Sequence, residues 1–185
     1  MKIWAGLFLG LAVSAVSATA AAEFSGAVYG GYGLPPKDAG DDHLRLGYGA
    51  RAGWAFPIIP IYIGAAATLH TGSKGDYALA QRNYLGYYGL EGGADITFGP
   101  VGIRPYAMVG LANVHSDQNS KDKSFLAPYY GLGVMPTWRF LDLPGADFFL
   151  GLDIRFIHIL KPLRQLSSEK MLTGFPIYLN IGVRI

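Results

Sequence analysis

Leu44-Arg45-Leu46-Gly47-Tyr48-Gly49-Ala50-Arg51-Ala52-Gly53-Trp54-Ala55-Phe56 decides the fold. Its even positions are Leu, Leu, Tyr, Ala, Ala, Trp and Phe, and its odd positions are Arg, Gly, Gly, Arg, Gly and Ala. A repeat of two places successive side chains on opposite faces, the period of a β-strand. One face of this strand is therefore apolar, and the other carries glycine and arginine. Leu126 to Phe140 splits in the same way, and so does Phe175 to Ile185, where Phe175, Ile177, Leu179, Ile181, Val183 and Ile185 alternate with Pro176, Tyr178, Asn180, Gly182 and Arg184.

Working outward, the same period predicts eight strands: 24–34, 44–56, 61–70, 84–98, 103–115, 125–140, 147–160 and 174–185. The links between them alternate in length. Segments 57–60, 99–102 and 141–146 are short, whereas 35–43, 71–83, 116–124 and 161–173 are long and polar. Antiparallel neighbours joined in this way put every short turn at one end and every long loop at the other. That is the up-and-down plan of a transmembrane β-barrel.

Residues 1–22 stand apart. Lys2 gives a positive start, Ile3 to Val16 is apolar apart from glycine and serine, and Ser17 to Ala22 is a run of small residues. This is the pattern of a cleaved export signal, not of a spanning anchor, for which the apolar run is short. Cleavage after Ala20 or after Ala22 satisfies the small-residue rule, and cleavage after Ala22 leaves 23–185 as the barrel domain.

Alternation alone does not say which face is wet, since a soluble lipocalin-like barrel alternates too. Three observations favour lipid outside. The polar face is built from Gly, Ala, Tyr, Ser and Arg. Lys37, Lys74, Lys121, Lys123, Lys161 and Lys170 all fall in the long links, as expected if a lysine facing mid-bilayer costs about 2–4 kcal/mol. The apolar-face aromatics gather at strand ends: Trp54, Phe56, Phe98, Trp138, Phe140 and Phe148 by the short turns, and Tyr32, Tyr84 and Phe175 by the long loops. Two such belts mark the two membrane interfaces.

Composition closes off other classes. The chain has 185 residues, no cysteine, 51% hydrophobic and 15% charged residues, and a net charge of +2. That excludes a disulfide framework, a thiolate metal site and a thiol nucleophile, and it gives no basic field for nucleic acid. No phosphate loop, dinucleotide motif or metal-ligand spacing occurs. Gly30-Gly31-Tyr32-Gly33 is a strand glycine cluster, and no cofactor is expected.

Export signal, absent cysteine, eight amphipathic strands and four polar loops resemble the small outer-membrane β-barrels of Gram-negative bacteria, the transmembrane domains similar to OmpA, OmpX and the opacity proteins. The likeness covers the whole of 23–185. Members often end in an aromatic residue recognised during assembly, and here the alternation from Phe175 runs to Ile185. The resemblance implies an all-β, eight-stranded antiparallel barrel in the outer membrane. Its implied partners are membrane lipid and lipopolysaccharide, the assembly machinery during insertion, and an extracellular ligand or host surface at the loops. It implies a monomer and no nucleic acid.

The residues able to carry chemistry lie in the inward phase: Arg45, Arg51, Glu91, Asp95, Arg104, Arg139, Asp153, Arg155 and Arg184. An interior this narrow requires them to pair, and Asp95 and Arg104, flanking one tight turn, are expected to meet diagonally across it. The main expectation is a charged network plugging a barrel whose role is structural or in surface interaction. Six cations facing three carboxylates offer the alternative of an anion-preferring channel. His43, His70, His115 and His158, with Ser73, Ser116, Asp117 and Glu169, suggest a third reading, lipid A modification at the outer rim. A lipid A deacylase needs His and Ser two residues apart on one strand. The residues two beyond each histidine are Arg45, Gly72, Asp117 and Leu160, so catalysis is not expected. N-terminal sequencing of protein extracted from membranes is predicted to begin at Glu23; a start at Met1 would overturn the export reading.

Overall fold

In a computed structural model, the described residues are 23–34, 46–56, 59–73, 82–118, 121–160 and 172–185. The strands are β1 (Glu23–Leu34), β2 (Leu46–Phe56), β3 (Ile61–Ser73), β4 (Arg82–Ala94), β5 (Ile96–Phe98), β6 (Val101–Gln118), β7 (Lys121–Leu143), β8 (Ala146–Ile159) and β9 (Leu172–Arg184). Each pairs antiparallel with its neighbour, β6 pairs with both β4 and β5, and β1 pairs with β9. The sheet therefore closes into an eight-stranded barrel whose fourth wall strand is β4 and β5 together. The closing seam is continued by reciprocal bonds of 2.8 Å between the backbones of Phe24 and Ile185.

The break at Asp95 has a local cause. The β4–β6 ladder stops at Gly93↔Tyr106 and the β5–β6 ladder resumes at Ile96↔Ile103. Pro105, which has no N–H to donate, stands in the gap.

Stagger sets the width. Opposed residues followed round the wall run from Glu23 through Ala55, Tyr62, Gly93, Tyr106, Gly133 and Arg155 to Pro176, and return to β1 at Gly33, ten residues beyond Glu23. With strands about 4.8 Å apart and residues about 3.3 Å along, a stagger of ten over eight strands tilts them by about 40° and gives a wall of about 8 Å radius. Only side chains fit inside.

The expected faces hold. Leu90, Leu132 and Leu179 are more than 60% exposed, whereas Tyr62, Asp153 and Tyr178 are wholly enclosed. Trp54, Phe56, Phe98, Trp138 and Phe140 stand exposed at the turn end, Tyr32 and Phe175 at the loop end; Phe148 is half-buried. The side chain of Tyr84 lies outside the described residues. Among the described residues no helix is long and apolar enough to cross a membrane; the strands cross it.

Two expectations are corrected. The predicted long loop 116–124 is mostly ladder: β6 and β7 stay paired from Val101↔Trp138 to Gln118↔Lys121, so only 119–120 separate them. Backbone pairing does not require an amphipathic side-chain pattern, so a polar hairpin extends past the apolar band unannounced. Lys121 and Lys123 consequently lie in a strand, and the other four lysines lie outside the described residues. At the opposite end β7 runs to Leu143, leaving Pro144-Gly145 as a two-residue turn. Gly145 and Gly99 adopt φ of +84° and +61°, the left-handed region that tight hairpin turns demand and glycine enters without a Cβ clash.

Leu90 faces lipid near mid-strand, whereas Trp138 sits in the turn-side belt. Leu90→Lys should lower stability in vesicles by about 2–4 kcal/mol, and Trp138→Lys should show a much smaller charge penalty beyond that of Trp138→Ala. Reversible urea unfolding measures both. Equal penalties at the two depths would contradict the lipid-facing assignment.

Candidate functional site: the ion-paired lumen

Inward-phase residues from all eight wall strands converge in the lumen in three tiers. The middle tier centres on Asp153 of β8. Its Oδ2 accepts from Arg51 Nη2 at 2.5 Å and from Arg155 Nε at 2.8 Å, and its Oδ1 accepts from the Tyr106 hydroxyl at 2.5 Å. Arg51 also lies 3.3 Å from Glu91. Arg155 reaches the Tyr29 and Thr68 hydroxyls, each at 3.4 Å, and lies over the rings of Tyr29 and Tyr178 at 4.6 Å. All four charged groups are buried. In so dry a place each arginine requires a carboxylate, and the planar guanidinium serves several acceptors and ring faces at once.

The turn-side tier centres on Asp95, whose Oδ2 accepts from Arg104 at 2.5 Å and from Arg184 at 3.0 Å. Asp95 and Arg104 meet as expected, but their register is directly opposed rather than diagonal. Arg104 stacks on Tyr62 at 3.9 Å, and the Tyr62 hydroxyl donates to Glu91 at 3.4 Å, linking the two tiers. Below lies an open mouth of about 160 Å³, where Arg139 bonds Asp147 at 2.8 Å and Arg184 approaches Glu23 at 3.7 Å.

The loop-side tier is aromatic and apolar. His70 Nε2 and the Tyr178 hydroxyl are 2.6 Å apart, and the Tyr87 and Tyr178 hydroxyls 2.5 Å apart. Leu85, Ala112, Ala127, Ile157 and Ile159 are buried around them.

The lumen brings together Arg51, Glu91, Asp95, Arg104, Asp153, Arg155 and Arg184. Arg139 stays at the turn-side mouth with a partly exposed side chain, and Arg45 lies outside the described residues. Sequence reasoning missed Asp147 and Glu23, which share the inward phase, and the lumen tyrosines Tyr29, Tyr62, Tyr87 and Tyr106. Parity alone could have flagged all six. Glycine explains how the rings fit: a Cβ at Gly49 would meet the Tyr29 ring at 2.8 Å, and one at Gly133 would strike Tyr106. Among the described residues, Arg51, Arg104, Arg139, Arg155 and Arg184 each lie within 4.0 Å of a carboxylate.

The model of the outer membrane protein beta-barrel domain matches residues 6–169. The chain belongs to this outer-membrane β-barrel family. It is a protein of the bacterial outer membrane. Solved structures with the same fold include Neisserial surface protein A (16% identity, TM-score 0.58, 89% of this chain and 96% of that one). They also include the N-terminal barrel domain of Pseudomonas aeruginosa OprF (13%, 0.54, 88% and 97%). A third is Ail, the attachment invasion locus protein of Yersinia pestis, in complex with the heparin analogue sucrose octasulfate (14%, 0.55, 89% and 99%). No curated protein matches the sequence. At these identities the likeness is one of fold.

The histidines do not form one rim cluster. His70 is enclosed in the lumen, whereas His158 is on the outward face against Tyr130, its Nδ1 3.0 Å from the Thr173 hydroxyl. The wall separates them. His43 and Glu169 lie outside the described residues, as do the side chains of His115, Ser73, Ser116 and Asp117.

Asp153→Ala leaves two buried guanidinium groups short of their shared carboxylate. It should cost about 3–5 kcal/mol in urea unfolding from vesicles. Asp142→Ala, at a side chain 71% exposed, should change stability by less than about 1 kcal/mol. Similar losses at both sites would contradict the paired-interior account.

Proposed function

We propose that this outer-membrane barrel acts without catalysis, as a non-conducting wall element whose working surface is its loop end. The observation that carries the reading is the filled lumen. Two tiers of paired charge, linked through Tyr62 and Glu91, and a buried apolar tier above them leave the bore occupied by side chains. Arg51, Arg104, Arg139, Arg155 and Arg184 each hold a carboxylate within bonding reach, which supports a packed plug over a row of free cations for an anion pathway. The export signal at 1–22 and a monomeric state belong to the same proposal.

Contact with a ligand or host surface then falls to the loop end, where segments 35–45, 74–81 and 161–171 and the extended β6–β7 hairpin emerge. The complex of Ail with a heparin analogue is a precedent for ligand contact by a barrel of this fold.

Purified protein in planar bilayers is expected to give no steady current; anion-selective channels altered by Arg51→Ala would overturn the plug. Cells displaying the barrel should adhere to host cells or heparin-coated surfaces. A variant with 35–45, 74–81 and 161–171 each cut to an Asn-Gly turn should fold and lose that adherence. Adherence equal in both would place the role elsewhere. Lipid A acyl patterns should be the same with and without the protein; a changed pattern would restore the enzymatic reading.

A further inference from the structure

The described strands contain four prolines, Pro105, Pro128, Pro136 and Pro176, and three of them face one strand. The β7–β8 ladder runs to Val134↔Ile154 and resumes at Thr137↔Gly151, skipping Pro136 opposite Leu152. The β8–β9 ladder runs to Ile154↔Ile177 and resumes at Ile157↔Gly174, skipping Pro176 opposite Arg155. Higher up, Leu160 N donates to Pro128 O at 2.9 Å, and Pro128 returns nothing. A proline has no N–H, so the carbonyls of Leu152 and Arg155 receive no ladder bond, one on each side of β8. A register shift between Arg139 and Leu141 further loosens the β7–β8 seam. By contrast the β2–β3 ladder runs unbroken from Leu46↔Thr71 to Phe56↔Ile61.

The same short piece of β8 carries two of the most connected side chains in the lumen. Asp153 ties it to Arg51 of β2 and Tyr106 of β6, and Arg155 ties it to Tyr29 of β1 and Thr68 of β3. These bonds cross the bore to strands that are not neighbours of β8. We propose that β8 from Leu152 to Phe156 is the strand at which the wall opens towards lipid, and that the Asp153–Arg51–Arg155–Tyr106 network is the latch that holds it closed. Cross-lumen side-chain bonds there take over from backbone bonds that the prolines withhold. Releasing the latch frees β8 locally, while the rest of the ladder keeps its own bonds.

Hydrogen exchange of the full barrel in lipid vesicles, read by mass spectrometry, tests this. In the wild-type protein the amides of 152–156 should exchange about tenfold faster than those paired between β2 and β3. Asp153→Asn, nearly isosteric, should quicken 152–156 by about tenfold more than it quickens β2–β3. Pro136→Ala combined with Pro176→Ala should slow 152–156 towards the β2–β3 rate. Exchange in β8 as slow as in β2–β3 in the wild type would overturn the yielding strand without needing any variant. Acceleration by Asp153→Asn spread evenly over all strands would overturn the latch and leave a network of general stability only.

Discussion

A peptide group in hydrocarbon has no water to turn to, and the rest of this structure follows from that constraint. Every N–H and C=O in the spanning region needs a partner in the wall, so an open sheet is excluded and β1 must meet β9. Closure with a stagger of ten residues then sets tilt and radius. The radius in turn decides that the interior is a packed side-chain core and not a pore. Where the chain violates the constraint, the effects are local and visible. Pro105 splits one wall strand into β4 and β5, and Pro136 and Pro176 leave β8 short of bonds on both sides.

The interior obeys the complementary rule. A guanidinium inside an 8 Å wall is nearly as far from bulk water as one in lipid, so its cost is offset only by a carboxylate at bonding distance. Asp153 and Asp95 each serve two arginines, Tyr106 binds Asp153 within the middle tier, and Tyr62 connects the two charged tiers through its hydroxyl and its ring face. The high glycine content answers a space requirement: the rings of Tyr29 and Tyr106 occupy the space that a Cβ at Gly49 and Gly133 would need. Tyrosine and glycine are thus one packing device, which is why both abound on the inward phase.

The outward face needs no such pairing. Its mid-strand residues are mostly aliphatic, from Ala65 and Ala67 to Leu90, Leu132 and Leu179, with aromatics at the belts, and it offers the lipid an apolar surface. Family membership places this wall in the bacterial outer membrane.

Much of this was legible in the amino-acid sequence because a strand reports its two faces with period two. The alternation from Leu44 to Phe56 and its repeats determined the number of wall strands, which residues face lipid, and the inward phase of Arg51, Glu91, Asp95, Arg104, Asp153, Arg155 and Arg184. The belts at Trp54, Trp138 and Phe175 were legible for the same reason. Tertiary structure alone decided three things. It decided who pairs with whom across the bore, since Arg51 meets Asp153 at a separation that no local pattern encodes. It decided that β6 and β7 stay paired out to Gln118 and Lys121, since backbone bonds leave no mark on side-chain order. It also decided that three prolines scattered over 128–176 converge on one strand, since register, not sequence spacing, sets what stands opposite a missing N–H.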